Sequence, residues 1–76
     1  MNLKTNNYHI NIFYSSEDGG YIADIPDLEY CSAFGETPEE ALAEVMIAKK
    51  LWQKVAEEDG QEMPEAKYKP LIYKFA

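Results

Sequence analysis

Gly35-Glu36-Thr37-Pro38-Glu39-Glu40-Ala41-Leu42 is the stretch where the chain changes its hydrophobic period, and it decides the fold. Thr37-Pro38-Glu39-Glu40 has the form of a capping box with proline at the first helical position. The spacing places the Thr37 hydroxyl to accept from the Glu40 amide and the Glu40 side chain to reach back to the Thr37 amide. Glu39, Glu40 and Glu44 suit the positive end of the helix dipole. The helix is predicted to run to about Asp59, with Gly60 as its stop. At about 100° per residue, Ala41, Val45, Ala48, Trp52, Val55 and Ala56 fall on one face, which should lie on a sheet. Ile47 and Leu51 form a second apolar strip at one flank, and Met46 sits towards the other. That surface is wider than one sheet contact requires. Either a helix of a second subunit covers it, with Met46, Ile47 and Leu51 as the oligomer interface, or loops and the C-terminal segment do.

Upstream of the helix the period is two. In Tyr8 to Tyr14, residues Tyr8, Ile10, Ile12 and Tyr14 alternate with His9, Asn11 and Phe13, as in a strand with one face in the core. Ser15 to Gly20 (Ser-Ser-Glu-Asp-Gly-Gly) is a hairpin turn, because glycine supplies the positive φ that tight turns need. Tyr21 to Ile25 is a second strand, broken by Pro26-Asp27, since proline donates nothing to a ladder. Tyr30 to Phe34 is a third, closed by Gly35. Downstream, Gln61 to Pro70 is a polar connector and Leu71 to Phe75 a last strand. A helix between the third and fourth strands permits a crossover that lays the last strand parallel to an earlier one. The expectation is a single α+β domain over residues 1–76, in the order βββαβ, with one helix packed on one face of the sheet.

A chain of 76 residues buries only about 60% of the surface that its unfolded form exposes. Small domains strengthen so thin a core with disulfides, metal or a partner subunit. One cysteine, Cys31, excludes an internal disulfide. One cysteine and one histidine are poor material for a structural zinc site. Self-association is the remaining route, so a homo-oligomer, dimer or higher, is expected. No apolar run approaches the ~20 residues of a membrane span. Met1 to Asn7 lacks the apolar stretch of a signal peptide, which with the free cysteine points to the cytoplasm.

Charge narrows the function. Fourteen acidic residues face seven lysines and no arginine, for a net charge of −7. Between Thr5 and Ala48 there are nine acids and no lysine or arginine. Phosphate neutralisation and base readout rely on lysine and arginine, so direct nucleic-acid binding is not expected. A basic protein partner fits, since complementary charge speeds encounter. The plain alternative is that acidity keeps a small domain soluble.

Candidate chemistry is sparse. Asp24, Asp27 and Glu29 are too few, and too dispersed by their spacing, for a two-metal site. Cys31 would need His9, the lone histidine, as its base, and a small cysteine beside Tyr30 and Ser32 reads as packing. His9 alternates with Ile10 and should face outward. Gly19-Gly20 joins strands, whereas a phosphate loop leads from a strand into a helix. Gly35 does precede a helix, but Glu36, Glu39 and Glu40 would repel an anion there. Lys49, Lys50 and Lys54 read as a solvated face. No catalytic residue, cofactor or metal is assigned.

Gly20-Tyr21-Ile22-Ala23-Asp24-Ile25-Pro26-Asp27-Leu28, then Cys31, Gly35 and Thr37-Pro38-Glu39-Glu40-Ala41-Leu42, resembles the HicB family of antitoxins in order and spacing, and the likeness extends from Tyr8 to about Phe75. The resemblance implies a partial ribonuclease H-like fold, dimers or larger oligomers, and binding to a small basic HicA-type toxin that cleaves messenger RNA. It also implies a C-terminal DNA-binding segment in full-length members. None follows the last strand here, so the chain is expected to be the N-terminal domain alone. Where the family often has Pro-Gly before the cysteine, this sequence has Glu29-Tyr30.

Three functions follow as expectations. The first is an antitoxin-like domain, not an enzyme, that covers a toxin ribonuclease through acidic turns, Glu17 and Asp18 in one and Asp27 and Glu29 in the other. The second is a standalone oligomeric binding module without a toxin. The third is a metal-dependent nuclease around Asp24 and Asp27.

Overall fold

A computed structural model describes residues 7–70. Strands β1 (Asn11–Ser15), β2 (Gly20–Asp24) and β3 (Ser32–Gly35) form an antiparallel sheet in the order β1-β2-β3, and helix α1 (Pro38–Glu58) lies across one face. The arrangement is α+β, of the form βββα. The last strand expected at Leu71 to Phe75 lies outside the described residues.

Each local signal resolves into hydrogen bonds. The Ser15 carbonyl accepts from the Gly19 amide at 2.9 Å, with Gly19 at φ +72°, and Ser15 pairs with Gly20 across the hairpin. Thr37 caps α1 from an extended backbone, its Oγ1 accepting from the Glu40 amide at 3.1 Å. The Glu40 carboxylate accepts from the amide of Glu36, one residue earlier than the reciprocal pairing predicted, so two donors are still satisfied. At the other end Gly60 adopts φ +72°, with Gly60 N donating to Glu57 O and Gln61 N to Ala56 O. That is a Schellman motif, for which glycine is favoured because it carries no Cβ.

The core is centred on the β2–β3 connection as much as on the sheet. Ile25, Leu28 and Val45 are the largest fully buried side chains, joined by Tyr8, Ala23, Cys31 and Ala41. Burying each of the three large residues stabilises the fold by about 1.5–3 kcal/mol. Two successive tight turns place them: Leu28 N donates to Ile25 O at 3.0 Å and Cys31 N to Leu28 O at 3.1 Å. The Ile25 N to Cys31 O bond, 3.0 Å, closes the pair. Gly35 lets α1 approach: an added Cβ would lie 2.3 Å from the Ala41 nitrogen.

Four burial expectations are corrected, the last of them at His9 below. Ile12 and Tyr14 are exposed, because α1 packs mainly on β3 and β2 and covers little of β1. Val55 is 56% exposed, because the chain beside it leaves an open groove. Lys49, read as solvated, is only 9% exposed, with its Nζ 5.7 Å from the centre of the Tyr8 ring. Its aliphatic stem packs as an apolar side chain would, while the ammonium meets an aromatic face. On the sheet face away from α1, Phe13, Ile22 and Phe34 align across the three strands.

Gln61 to Pro70 has no regular secondary structure, yet it is pinned at several points. Met63 packs on the core, the Tyr8 hydroxyl donates to the Pro64 carbonyl, and the His9 ring lies 5.0 Å from that of Tyr68. His9, expected to face outward, is therefore half-buried.

Candidate functional site

The two acidic turns stand at opposite ends of the sheet. Ser15 pairs with Gly20 at the hairpin end, and Asn11 pairs with Asp24 at the end where the β2–β3 connection begins. At about 3.3 Å per residue, β2 alone keeps them roughly 13 Å apart. Glu17 and Asp18 are exposed in the hairpin turn, where Asp18 Oδ2 accepts from Ser15 Oγ at 2.8 Å. Asp27 holds the structure together: its carboxylate accepts from the Lys67 and Tyr68 amides, at 3.1 Å each, and ties the connector to the turn. Glu29 is exposed, and its backbone carbonyl accepts from Trp52 Nε1 at 2.9 Å. The four carboxylates therefore divide between the two ends of the sheet, with Asp27 already engaged by the connector.

The nucleophile and metal options find little geometry. Cys31 is 2% exposed, and its thiol is pushed above its ordinary value by burial and by nearby Asp24, with Lys49 opposing. His9 Nε2 is 2.7 Å from Asn11 Oδ1, so its hydrogen-bonding partner is Asn11, and its ring packs at a tilt against Tyr68. Among the described residues no group of three or more His, Cys, Asp or Glu side chains could hold a metal ion. No helix among them is long and apolar enough to cross a membrane.

The feature that sequence reasoning missed is Tyr30. It is the third residue of the Leu28–Cys31 turn, at φ +63°, and it is 93% exposed. Positive φ at that position is the mark of a type II turn, which favours glycine. For a bulky residue it costs roughly 1–2 kcal/mol. With so little of the ring buried, packing offsets little of that cost. The signal was present in the resemblance: Glu29-Tyr30 stands where the family often has Pro-Gly, which puts Tyr30 at the glycine position of the turn.

Tyr30 stands at the mouth of an open groove of about 280 Å³ between this turn and the C-terminal half of α1, lined also by Leu51, Trp52, Val55 and Asp59. Of the expected oligomer-interface residues Met46, Ile47 and Leu51, all exposed, only Leu51 borders the groove.

A UPF0150 protein of Synechocystis sp. is 47% identical to this chain over 58 residues, 76% of this chain and 78% of that protein. No family model and no solved structure matches the chain.

Proposed function

Because the chain belongs to the UPF0150 family, we propose that it is a HicB-like antitoxin domain, a protein-binding module rather than an enzyme, that neutralises a small basic toxin of the HicA type. The observation that carries this is the kinship with a UPF0150 protein over three quarters of the chain, on a sequence with the family's motif order. Charge supports it: fourteen acids against seven lysines make a surface suited to a basic partner. Glu17, Asp18 and Glu29 are free to meet such a partner, whereas Asp27 contributes by holding the turn that carries Glu29. The non-catalytic character is supported by the buried, protonated Cys31 and by the partners of His9. The protein acts in the cytoplasm, where its toxin would cleave messenger RNA.

The test is to mix the full chain with a purified HicA-type toxin, for which a short basic open reading frame beside this gene would be the first candidate, and follow RNA cleavage. Neutralisation at a fixed stoichiometry is expected, and unimpeded cleavage would refute the assignment. A second reading, a standalone oligomeric module, is favoured by the exposed Met46, Ile47 and Leu51. Light scattering and the toxin assay together decide it: a dimer or larger species dispersed by Leu51→Asp, with toxin cleavage unimpeded, would support that reading.

A further inference from the structure

Tyr30 combines a strained backbone with an almost fully exposed ring. Strain of this kind persists where surrounding structure over-determines it, and it clusters at functional sites. Here the turn is over-determined by buried Leu28 and Cys31 and by the Ile25–Cys31 and Trp52–Glu29 hydrogen bonds. The strain therefore holds an aromatic ring beside an apolar groove. On α1, Ile47, Leu51 and Val55 are exposed at i, i+4 and i+8 and continue the groove wall as a ridge.

The charges around this surface are sorted. Asp59 lines the groove, Glu29 precedes Tyr30, and no lysine lines it. At about 100° per residue, Glu44 and Glu58 share the ridge's side of α1, while Lys50 and Lys54 flank its edge away from the groove. A second copy of the chain fits poorly. Antiparallel pairing about Leu51 would set Glu44 opposite Glu58 twice, between two chains of net charge −7.

We propose that the groove between the Leu28–Cys31 turn and the C-terminal half of α1 docks a basic amphipathic segment of a partner protein, with Tyr30 as its aromatic anchor. Apolar side chains of that segment fill the groove against Leu51, Trp52 and Val55, and its lysines or arginines meet Glu29 and Asp59. Exposed tyrosines beside apolar pockets are the residues that interfaces use as anchors. The inference rests on the protein-binding reading above and names the surface that it uses.

The probe is a synthetic helical peptide with leucines at i, i+3, i+4 and i+7 and arginines elsewhere, titrated into the ¹⁵N-labelled full chain. An equivalent peptide with glutamates for arginines is the control. Amide shifts confined to residues 29–31 and 47–61, absent with the control, are expected. Tyr30→Gly should weaken binding at least about fivefold while leaving the fold as stable or more so, because glycine relieves the positive φ. Leu51→Asp, at an exposed site, should weaken it likewise. Shifts centred on Phe13 and Phe34 or on the hairpin turn would overturn the proposal. So would equal binding of the acidic peptide, no binding, undiminished affinity of both variants, or a dimer that Leu51→Asp disperses.

The toxin assay separates this proposal from the reading it rests on. If the native chain neutralises the basic protein and both variants do so as fully, the groove assignment falls and the antitoxin reading stands. If the native chain neutralises nothing while the basic peptide docks as described, the antitoxin reading falls and the groove assignment stands.

Discussion

Gly35→Ala should be among the most damaging single-methyl changes in this protein, and its cost follows from three distances. A Cβ built on Gly35 lies 2.3 Å from the Ala41 nitrogen, 2.7 Å from the Glu40 carbonyl carbon and 2.8 Å from the Ala41 Cα. All three are backbone atoms of the first turns of α1, so no rotamer change relieves the clash. Restoring an ordinary contact of at least 3.4 Å requires the helix start to move about 1 Å from β3. That motion loosens Ala41 and Val45, both fully buried against the sheet. Overpacking alone costs about 1–3 kcal/mol, and the partial loss of packing puts the expected total near the top of that range, about 3 kcal/mol. A chain of this length has a stability of roughly 4–11 kcal/mol, so the variant loses a large part of it. At about 4–8 °C per kcal/mol, the melting temperature should fall by about 12–24 °C. Urea unfolding followed by fluorescence of Trp52, the sole tryptophan, measures the change. Gly60→Ala is the control: Gly60 sits at a positive φ, but its Cβ would meet nothing within 4 Å. It should cost only the backbone term, about 1–2 kcal/mol. A Gly35→Ala variant no less stable than Gly60→Ala would refute the close-approach argument.

Thr37→Ala removes the acceptor for the Glu40 amide and should cost about 1 kcal/mol in urea unfolding, with α1 frayed at its first turn by hydrogen exchange. Asp27→Ala should release the connector, with the Lys67 and Tyr68 amides exchanging at least about tenfold faster and stability lower by about 1.5 kcal/mol. Alkali should destabilise the fold through Cys31. Its folded thiol is raised by burial and by Asp24, so the stabilisation is complete below the ordinary thiol range and is lost as pH rises through the folded value. The urea midpoint should therefore hold from pH 7 to about 8.5 and fall above it, and Cys31→Ala should flatten that fall. Tyr8, raised by burial and then by Asp27, extends the decline at still higher pH.

What the sequence made legible was local. The Thr37 cap and the Gly60 stop are satisfied by residues within five positions, so their residue types alone identify them. The three strands and the single helix follow from periods that the chain carries by itself. Which strand face is covered does not, because it depends on where α1 comes to rest; Ile12 and Tyr14 fit the pattern and yet face solvent. The burial of Lys49 is illegible for a related reason: its stem is as apolar as its neighbours, and only the packed helix brings the Tyr8 ring beneath its charge. At the site, the exposure of Glu17, Asp18 and Glu29 was readable from turn chemistry. The occupation of Asp27 by amides 40 and 41 residues away was not. The positive φ of Tyr30 was signalled only through the resemblance, whose glycine position it occupies, and the groove beside it was not signalled at all.

The central claim is that this acidic domain works by covering a basic ribonuclease. The most direct measurement is RNA cleavage by a purified HicA-type toxin, titrated with the full chain. Cleavage that falls to background at a fixed molar ratio, and returns at high salt as charge attraction is screened, is the predicted result. Cleavage that continues at the same rate however much of the chain is added would contradict it.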